Sequence, residues 1–293
     1  MAPKRIHLIR HAQGYHNLSI ESHSLPDPEL TTEGEQQCLR LSSKIDDIQA
    51  IDCIVASPLK RTLWTALVTF RAVLQSRPGM RVIALPELQE TSTLPCDIGT
   101  DVEQLKQEME GHPIDWTYVQ SDWNSKSTGR YVPRADIVTS RAQMSRRFLQ
   151  CREEQQVAVV THGSFLHFLS EDWMEYAKFG GTGWANTEMR TYTFDLSSVD
   201  AINNASMRET PSSIARRFNS LRPLTIDEQL QLQAVAHQLW AKYGFITLPD
   251  ESRAKELEDN SRSTCKGDGD LQGIQARPQH EKTSADGKGI LMV

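Results

Sequence analysis

The chain has 293 residues, 38% of them hydrophobic, and a formal net charge of −6. That apolar content supports a sizeable α/β core and excludes a wholly disordered chain. The acidic balance argues against nucleic acid or an anionic membrane as the main partner, since both need clustered Lys and Arg. The five cysteines (Cys38, Cys53, Cys96, Cys151 and Cys265) are scattered with no CxxC pair, so neither a disulfide framework nor a zinc site is expected. With no apolar run of the ~20 residues that a membrane span needs, the chain reads as cytosolic and free of membrane.

In chain order, the branched apolar segment Ile6 to Ile9 predicts a buried parallel strand running directly into Arg10 and His11. Thr32-Glu33-Gly34-Glu35 has capping-box spacing, and Cys38, Leu39, Leu41 and Ile45 recur at helical intervals, which predicts a helix over Thr32 to Asp46. Cys53 to Ala56 reads as the next strand, Leu59 to Leu74 as helical and Arg81 to Leu85 as strand-like. Val157 to Thr161 is a strong buried-strand signal ending in His162-Gly163, and a further strand is expected near Arg190 to Phe194. Strands alternating with helices imply a doubly wound, mostly parallel sheet flanked by helices.

Two segments stand apart from this alternation. Residues 96–150, with Trp116, Tyr118, Trp123, Arg130, Tyr131 and Arg134, are too long for one loop and are read as a helical lid. Within it Asp101, Glu103, Lys106, Glu108 and Glu110 are expected on a solvated helix. Thr225 to Glu228 repeats the capping-box spacing, and a helix can run to Tyr243 with Gly244 as its stop. The chain thus divides into a catalytic domain over 1–250, with the lid at about 96–150 and a C-terminal helical extension at about 210–245, and a disordered tail over 251–293 that is charged and rich in Gly, Ser, Lys and Asp.

Four short signals carry chemistry, each at the C-terminal end of its own expected strand, where open parallel sheets bind ligands. They are Arg10-His11 with Gly14 and Asn17; Ser57-Pro58-Leu59-Lys60-Arg61-Thr62; Pro86-Glu87-Leu88-Gln89-Glu90; and Thr161-His162-Gly163. Taken singly, each has an ordinary explanation: a structural histidine, a capped helix start, a pair of loop carboxylates, a turn glycine. His16 is as well explained by a surface position as by the entrance to a site, and Phe165, His167, Phe168 and Leu169 as core rather than ligand contacts.

The order RHxxxxN, SPxxRTxxTA, LxE and THG resembles the histidine phosphatase (phosphoglycerate mutase-like) superfamily over about residues 5–195. Within it, LQE followed by PCDIG, and THGSFLHFL before GTGWAN, is similar to fungal phosphoglycerate mutase-like proteins. The resemblance implies a phosphatase acting on a small-molecule phosphomonoester. In it His11 takes the phosphoryl group, Glu90 is the general acid and base, and His162 completes the catalytic set. Arg10, Asn17, Arg61 and Gly163 hold the phosphate, with no metal and no cofactor. The chemistry agrees: a phosphomonoester carries ~1.5 to 2 negative charges and needs several cationic or N–H donors. A departing alkoxide needs an acid, for which Glu90 is preferred over Glu87 because it occupies the LxE position.

Two alternatives remain open at this stage. One is a phosphoglycerate mutase, although the ESxWN and ERHYG phrasings of the cofactor-dependent mutases are not matched at Ala12 to Asn17 or Leu88 to Ser92. The other is a binding module without turnover. The sequence carries no sign of oligomeric state or of the natural substrate.

Overall fold

The computed structural model describes residues 4–218 and 224–249. In chain order its elements are β1 (Arg5–Arg10), α1 (Thr32–Lys44), β2 (Cys53–Ala56), α2 (Lys60–Thr69), α3 (Arg71–Ser76), β3 (Val82–Ala84), α4 (Val102–Glu108), β4 (Ile114–Asp115), α5 (Ala135–Cys151), β5 (Gln156–Thr161), α6 (Gly163–Ser170), α7 (Lys178–Gly181), β6 (Met189–Phe194), α8 (Val199–Asn204), β7 (Met207–Glu209), α9 (Pro211–Arg217) and α10 (Ile226–Lys242). The strands form one sheet in the order β4-β3-β2-β5-β1-β6-β7. From β4 to β1 all pairs are parallel, while β6 runs antiparallel to β1, and β7 to β6.

Both faces of this sheet are covered, which is why its central strands read as unbroken apolar runs. Ile6 and Leu8 of β1, Val55 of β2 and Val157 and Val159 of β5 join one core with α5, α6 and α10. Their alternate neighbours Ile9, Ile54, Ala56, Ala158 and Val160 join a second core with α2, α3 and α4. Burying each such Val, Leu or Ile contributes about 1.5–3 kcal/mol.

Local signals were right in kind and shifted in place. Helix α1 is capped not by Thr32 but by Thr31, whose Oγ1 accepts from the Gly34 amide at 3.0 Å. The stretch from Leu59 to Leu74 is two helices broken at Phe70. For α10 the capping box forms between Thr225 and Glu228, and Gly244 follows the helix at φ +76°, a left-handed conformation that glycine adopts without strain.

Residues 96–150 resolve into two parts. Up to residue 131 they are an irregular insert containing α4 and the edge strand β4, with Trp123 fully buried against Gly99. From Ala135 onward they are α5, a covering helix of the sheet whose Ala135, Val138, Ala142 and Leu149 lie in the first core. Asp101, Glu103, Glu108 and Glu110 are exposed and Lys106 half-exposed, on or beside α4 as expected. Four cysteines, Cys38, Cys53, Cys96 and Cys151, are free thiols. Among the described residues no helix is long and apolar enough to cross a membrane. The expected tail over 251–293 lies outside the described residues.

Candidate active site

The chain crosses from β1 to β2 on one side of β5 and returns on the other, opening a crevice at the C-terminal ends of these strands. The register sets Arg10 beside Thr161 and Ala56 beside Val160. The residues that follow stay in line: the His11 amide donates to Thr161 O at 2.9 Å and the Ser57 amide to Val160 O at 3.0 Å. His11, His162 and Ser57 therefore form a row at the sheet's edge. The His11 and His162 ring centroids are 5.2 Å apart, and His162 Nε2 lies 2.9 Å from Ser57 Oγ.

His11 is 2% exposed, and its Nδ1 lies 2.7 Å from Ala12 O. A carbonyl can only accept, so the imidazole proton sits on Nδ1 and the lone pair on Nε2. That Nε2 has no hydrogen-bond partner among the described residues. Burial, with the Arg61 and Arg10 charges behind it, holds His11 well below its usual value, so the ring is neutral. Burial and Arg61 do the same to His162. His16 is not a surface residue. It is 6% exposed, its ring centroid is 5.2 Å from that of His11, and burial with Arg61 and Arg10 pushes it down to about 2.

Arg10 donates through Nη1 to Thr182 Oγ1 at 2.8 Å and to Trp184 O, while its Nε is buried without a partner among the described residues. Arg61, at the first turn of α2, is 1% exposed; it donates through Nη1 to Cys96 O at 2.5 Å and through Nη2 to Asp97 Oδ1 at 2.7 Å, and again its Nε has no partner among the described residues. Asn17 accepts through Oδ1 from the Gly14 amide at 3.1 Å and from Asn186 Nδ2 at 3.4 Å, and its own Nδ2 is unengaged among the described residues. Gly163 begins α6, and its amide makes no hydrogen bond among the described residues. A Cβ at this position would lie 2.4 Å from Thr182 Cβ, so the packing itself requires a glycine.

Glu90 lies just past β3, across from the N-terminus of α6. Its Oε1 accepts from the Thr91 and Phe165 amides at 2.9 and 3.0 Å, and Oε2 from the Ser164 amide at 3.2 Å. These three donors favour the carboxylate, yet burial and the neighbouring Asp97 outweigh them and raise Glu90 above its usual value. Glu87, itself only 14% exposed, instead pairs with the half-exposed Arg130 at 3.1 Å.

Several residues at this site carried no signal in the sequence. Lys126, 4% exposed, donates from Nζ to Glu90 O and Ser92 O, both at 2.7 Å, and burial lowers it to about 7. Arg141 of α5 is buried with none of its three nitrogens hydrogen-bonded; it stacks over Phe165, 4.5 Å from the ring centroid. Asn186 donates to His11 O at 3.0 Å. Thr182, Trp184 and Asn186 all belong to the GTGWAN segment, and Asp97 to PCDIG, so the phrasing was visible while its contacts were not. His167, Phe165, Phe168 and Leu169 are core, as expected. Among the described residues no group of three or more His, Cys, Asp and Glu side chains could hold a metal ion.

The model of the histidine phosphatase superfamily (branch 1) matches residues 6–202. A phosphoglycerate mutase-like protein of Arabidopsis thaliana is 27% identical over 202 residues, covering 57% of this chain and 73% of that protein. A probable phosphoglycerate mutase of Erwinia tasmaniensis is 24% identical over 169 residues, covering 56% and 72%. Among solved structures, a phosphoserine phosphatase variant of Entamoeba histolytica in complex with phosphoserine covers 70% of this chain and 94% of its own, at 20% identity and a TM-score of 0.43.

Proposed function

The chain belongs to the histidine phosphatase superfamily, and on that premise we propose that it is a phosphatase that hydrolyses small-molecule phosphomonoesters through a phosphohistidine on His11. One observation carries this reading. Among the described residues the buried donors Arg10 Nε and Arg61 Nε, together with His162 Nδ1, have no partner, and all three residues neighbour His11, whose Nε2 is also unpaired. Orphaned buried polar groups cost about 1–3 kcal/mol each, so a cluster of them calls for a ligand, and two guanidinium donors call for an oxyanion.

The reaction proceeds in two halves. The phosphoryl group is held by Arg10, Arg61, Asn17 Nδ2, His162 and the Gly163 amide, and His11 Nε2 attacks phosphorus in line. As the N–P bond forms, the P–O bond to the leaving group breaks, and Glu90, whose carboxyl burial raises above its usual value, gives its proton to the departing oxygen. A water then attacks the phosphohistidine, Glu90 takes the proton back, and phosphate leaves with His11 restored. The buried cations supply the electrostatic stabilisation of the transferring group.

The test is hydrolysis of an aryl phosphate in chelator by the wild type, His11→Ala and Glu90→Gln, with acid-quench detection of phosphohistidine. The expected result is turnover by the wild type and none by His11→Ala. Glu90→Gln should retain more activity on the aryl ester than on an alkyl one, because a good leaving group needs no acid. A folded wild type that is inert on phosphomonoesters, or one that interconverts phosphoglycerates only with 2,3-bisphosphoglycerate, would overturn the hydrolase reading.

A further inference from the structure

The PCDIG segment has no part in the scheme above, yet its Asp97 sits between two groups that do. Asp97 is buried in a short 3-10 turn, Pro95–Asp97. Its Oδ1 accepts from Arg61 Nη2 at 2.7 Å, and the preceding carbonyl, Cys96 O, accepts from Arg61 Nη1 at 2.5 Å. The turn thus grips the guanidinium on both outer nitrogens and leaves Nε unpaired. The other carboxylate oxygen, Oδ2, accepts from Ser92 Oγ at 2.6 Å. Ser92 lies two residues beyond Glu90, and Lys126 bridges the Glu90 and Ser92 carbonyls.

We propose that Asp97 is a positioning residue for the reaction, holding the Arg61 guanidinium so that its Nε is free for the phosphoryl group and tying it to the loop that carries Glu90. This rests on the phosphatase reading. Two outer contacts define the plane of a guanidinium, whereas the Cys96 carbonyl alone leaves it free to turn. An arginine buried as Arg61 is, with one contact fewer, would turn toward the remaining carboxylate, Glu90, and the phosphate clamp and the acid would neutralise each other. The charge of Asp97 acts in the same direction on the acid, since it is the leading charged neighbour that raises Glu90, against Arg61. Arg10, Lys126 and Arg141 also face Glu90 and are its positive neighbours.

Asp97→Asn and Asp97→Ala separate the two effects, and the readouts are inorganic phosphate binding by calorimetry and the pH profile of kcat on an alkyl phosphate. Asp97→Ala is expected to weaken phosphate binding and raise KM by roughly tenfold or more, the scale of one charge-assisted hydrogen bond to the ligand. Asp97→Asn keeps an acceptor for Arg61 and should bind phosphate within about threefold of the wild type. It removes the negative neighbour of Glu90, so the pH at which kcat declines on the alkaline side should move down. If both variants lose thermal stability while phosphate affinity and the pH profile stay at wild-type values, Asp97 is structural only and the proposal fails. Should Asp97→Ala not fold, Asp97→Asn decides by its pH profile. Phosphate binding needs no turnover, so an inert wild type would sink the phosphatase reading while this readout still decides whether Asp97 sets the anion clamp.

Discussion

The His11 and His162 rings stand 5.2 Å apart at the ends of adjacent strands, both buried and both held well below the usual histidine range by burial and by Arg61. His16 joins them, and His7, His167 and His237 are also lowered, chiefly by burial. A histidine whose folded value is depressed gives stability that is fully present above about pH 6.5, its unfolded value, and is lost as pH falls below it. The raised carboxyls Glu90 and Asp27 act in the opposite sense, from their unfolded values up to their raised folded ones, but two carboxyls are set against six histidines. Melting temperature should therefore drop steadily from pH 7.5 to 5.5. A melting temperature that holds or rises on acidification contradicts the neutral-histidine assignment.

Gly163 and Thr182 make a second prediction. A Cβ on residue 163 would fall 2.4 Å from Thr182 Cβ and 3.0 Å from its Oγ1. That hydroxyl accepts from Arg10 Nη1 at 2.8 Å, so displacing it turns the Arg10 guanidinium. Gly163→Ala should cost about 1–3 kcal/mol from overpacking and should also reduce kcat/KM on an aryl phosphate by more than tenfold. Loss of stability with full activity would mean that Thr182 does not orient Arg10.

The four strand-end motifs were legible because chemistry-bearing side chains follow directly on apolar runs, and parallel pairing then brings Arg10, Ser57 and His162 to one edge whatever the loops do. Asp97, Lys126 and Asn186 were not legible. Their roles come from contacts 30 or more residues away in sequence: Asp97 with Arg61, Lys126 with Glu90, Asn186 with His11. No local period or spacing encodes such contacts. His16 stayed open between surface and site entrance for a related reason, since only the fold sets the buried Arg61 and His11 beside it. The antiparallel edge strand β7 and the two-residue β4 are too short for any alternation to register.

Asp27 predicts a structural rather than a catalytic effect. Its buried carboxylate accepts from the Lys60 amide at 3.0 Å through Oδ1, and from the Thr100 amide and hydroxyl at 2.9 and 2.8 Å through Oδ2. It thus supplies the cap that α2, which has no side-chain cap of its own, lacks at its N-terminus, and it pins the start of the insert. Asp27→Ala leaves three donors without their acceptor and should destabilise by about 2–4 kcal/mol, read as a fall in the urea midpoint at unchanged slope. Because burial raises its folded value, the carboxylate itself opposes folding as pH rises, so Asp27→Asn should be hurt less at pH 8 than at pH 5.

Lys126 gives the opposite sign on the alkaline side. Burial lowers its folded value to about 7, far below the ~10.4 of an unfolded lysine. Between those limits the unfolded chain holds a proton that the folded one does not, so the contribution of Lys126 to stability is smallest near pH 7 and grows toward pH 10. A neutral amine retains two N–H groups, enough to serve both the Glu90 and Ser92 carbonyls. Lys126→Met removes both bonds and the titration together. The stability gap between wild type and Lys126→Met, measured by urea unfolding, should widen from pH 7 to 9.5. A gap that stays flat over that range would mean Lys126 stays charged in the fold, held by Asp97 and Glu90, and would make it a permanent counter-charge to the acid.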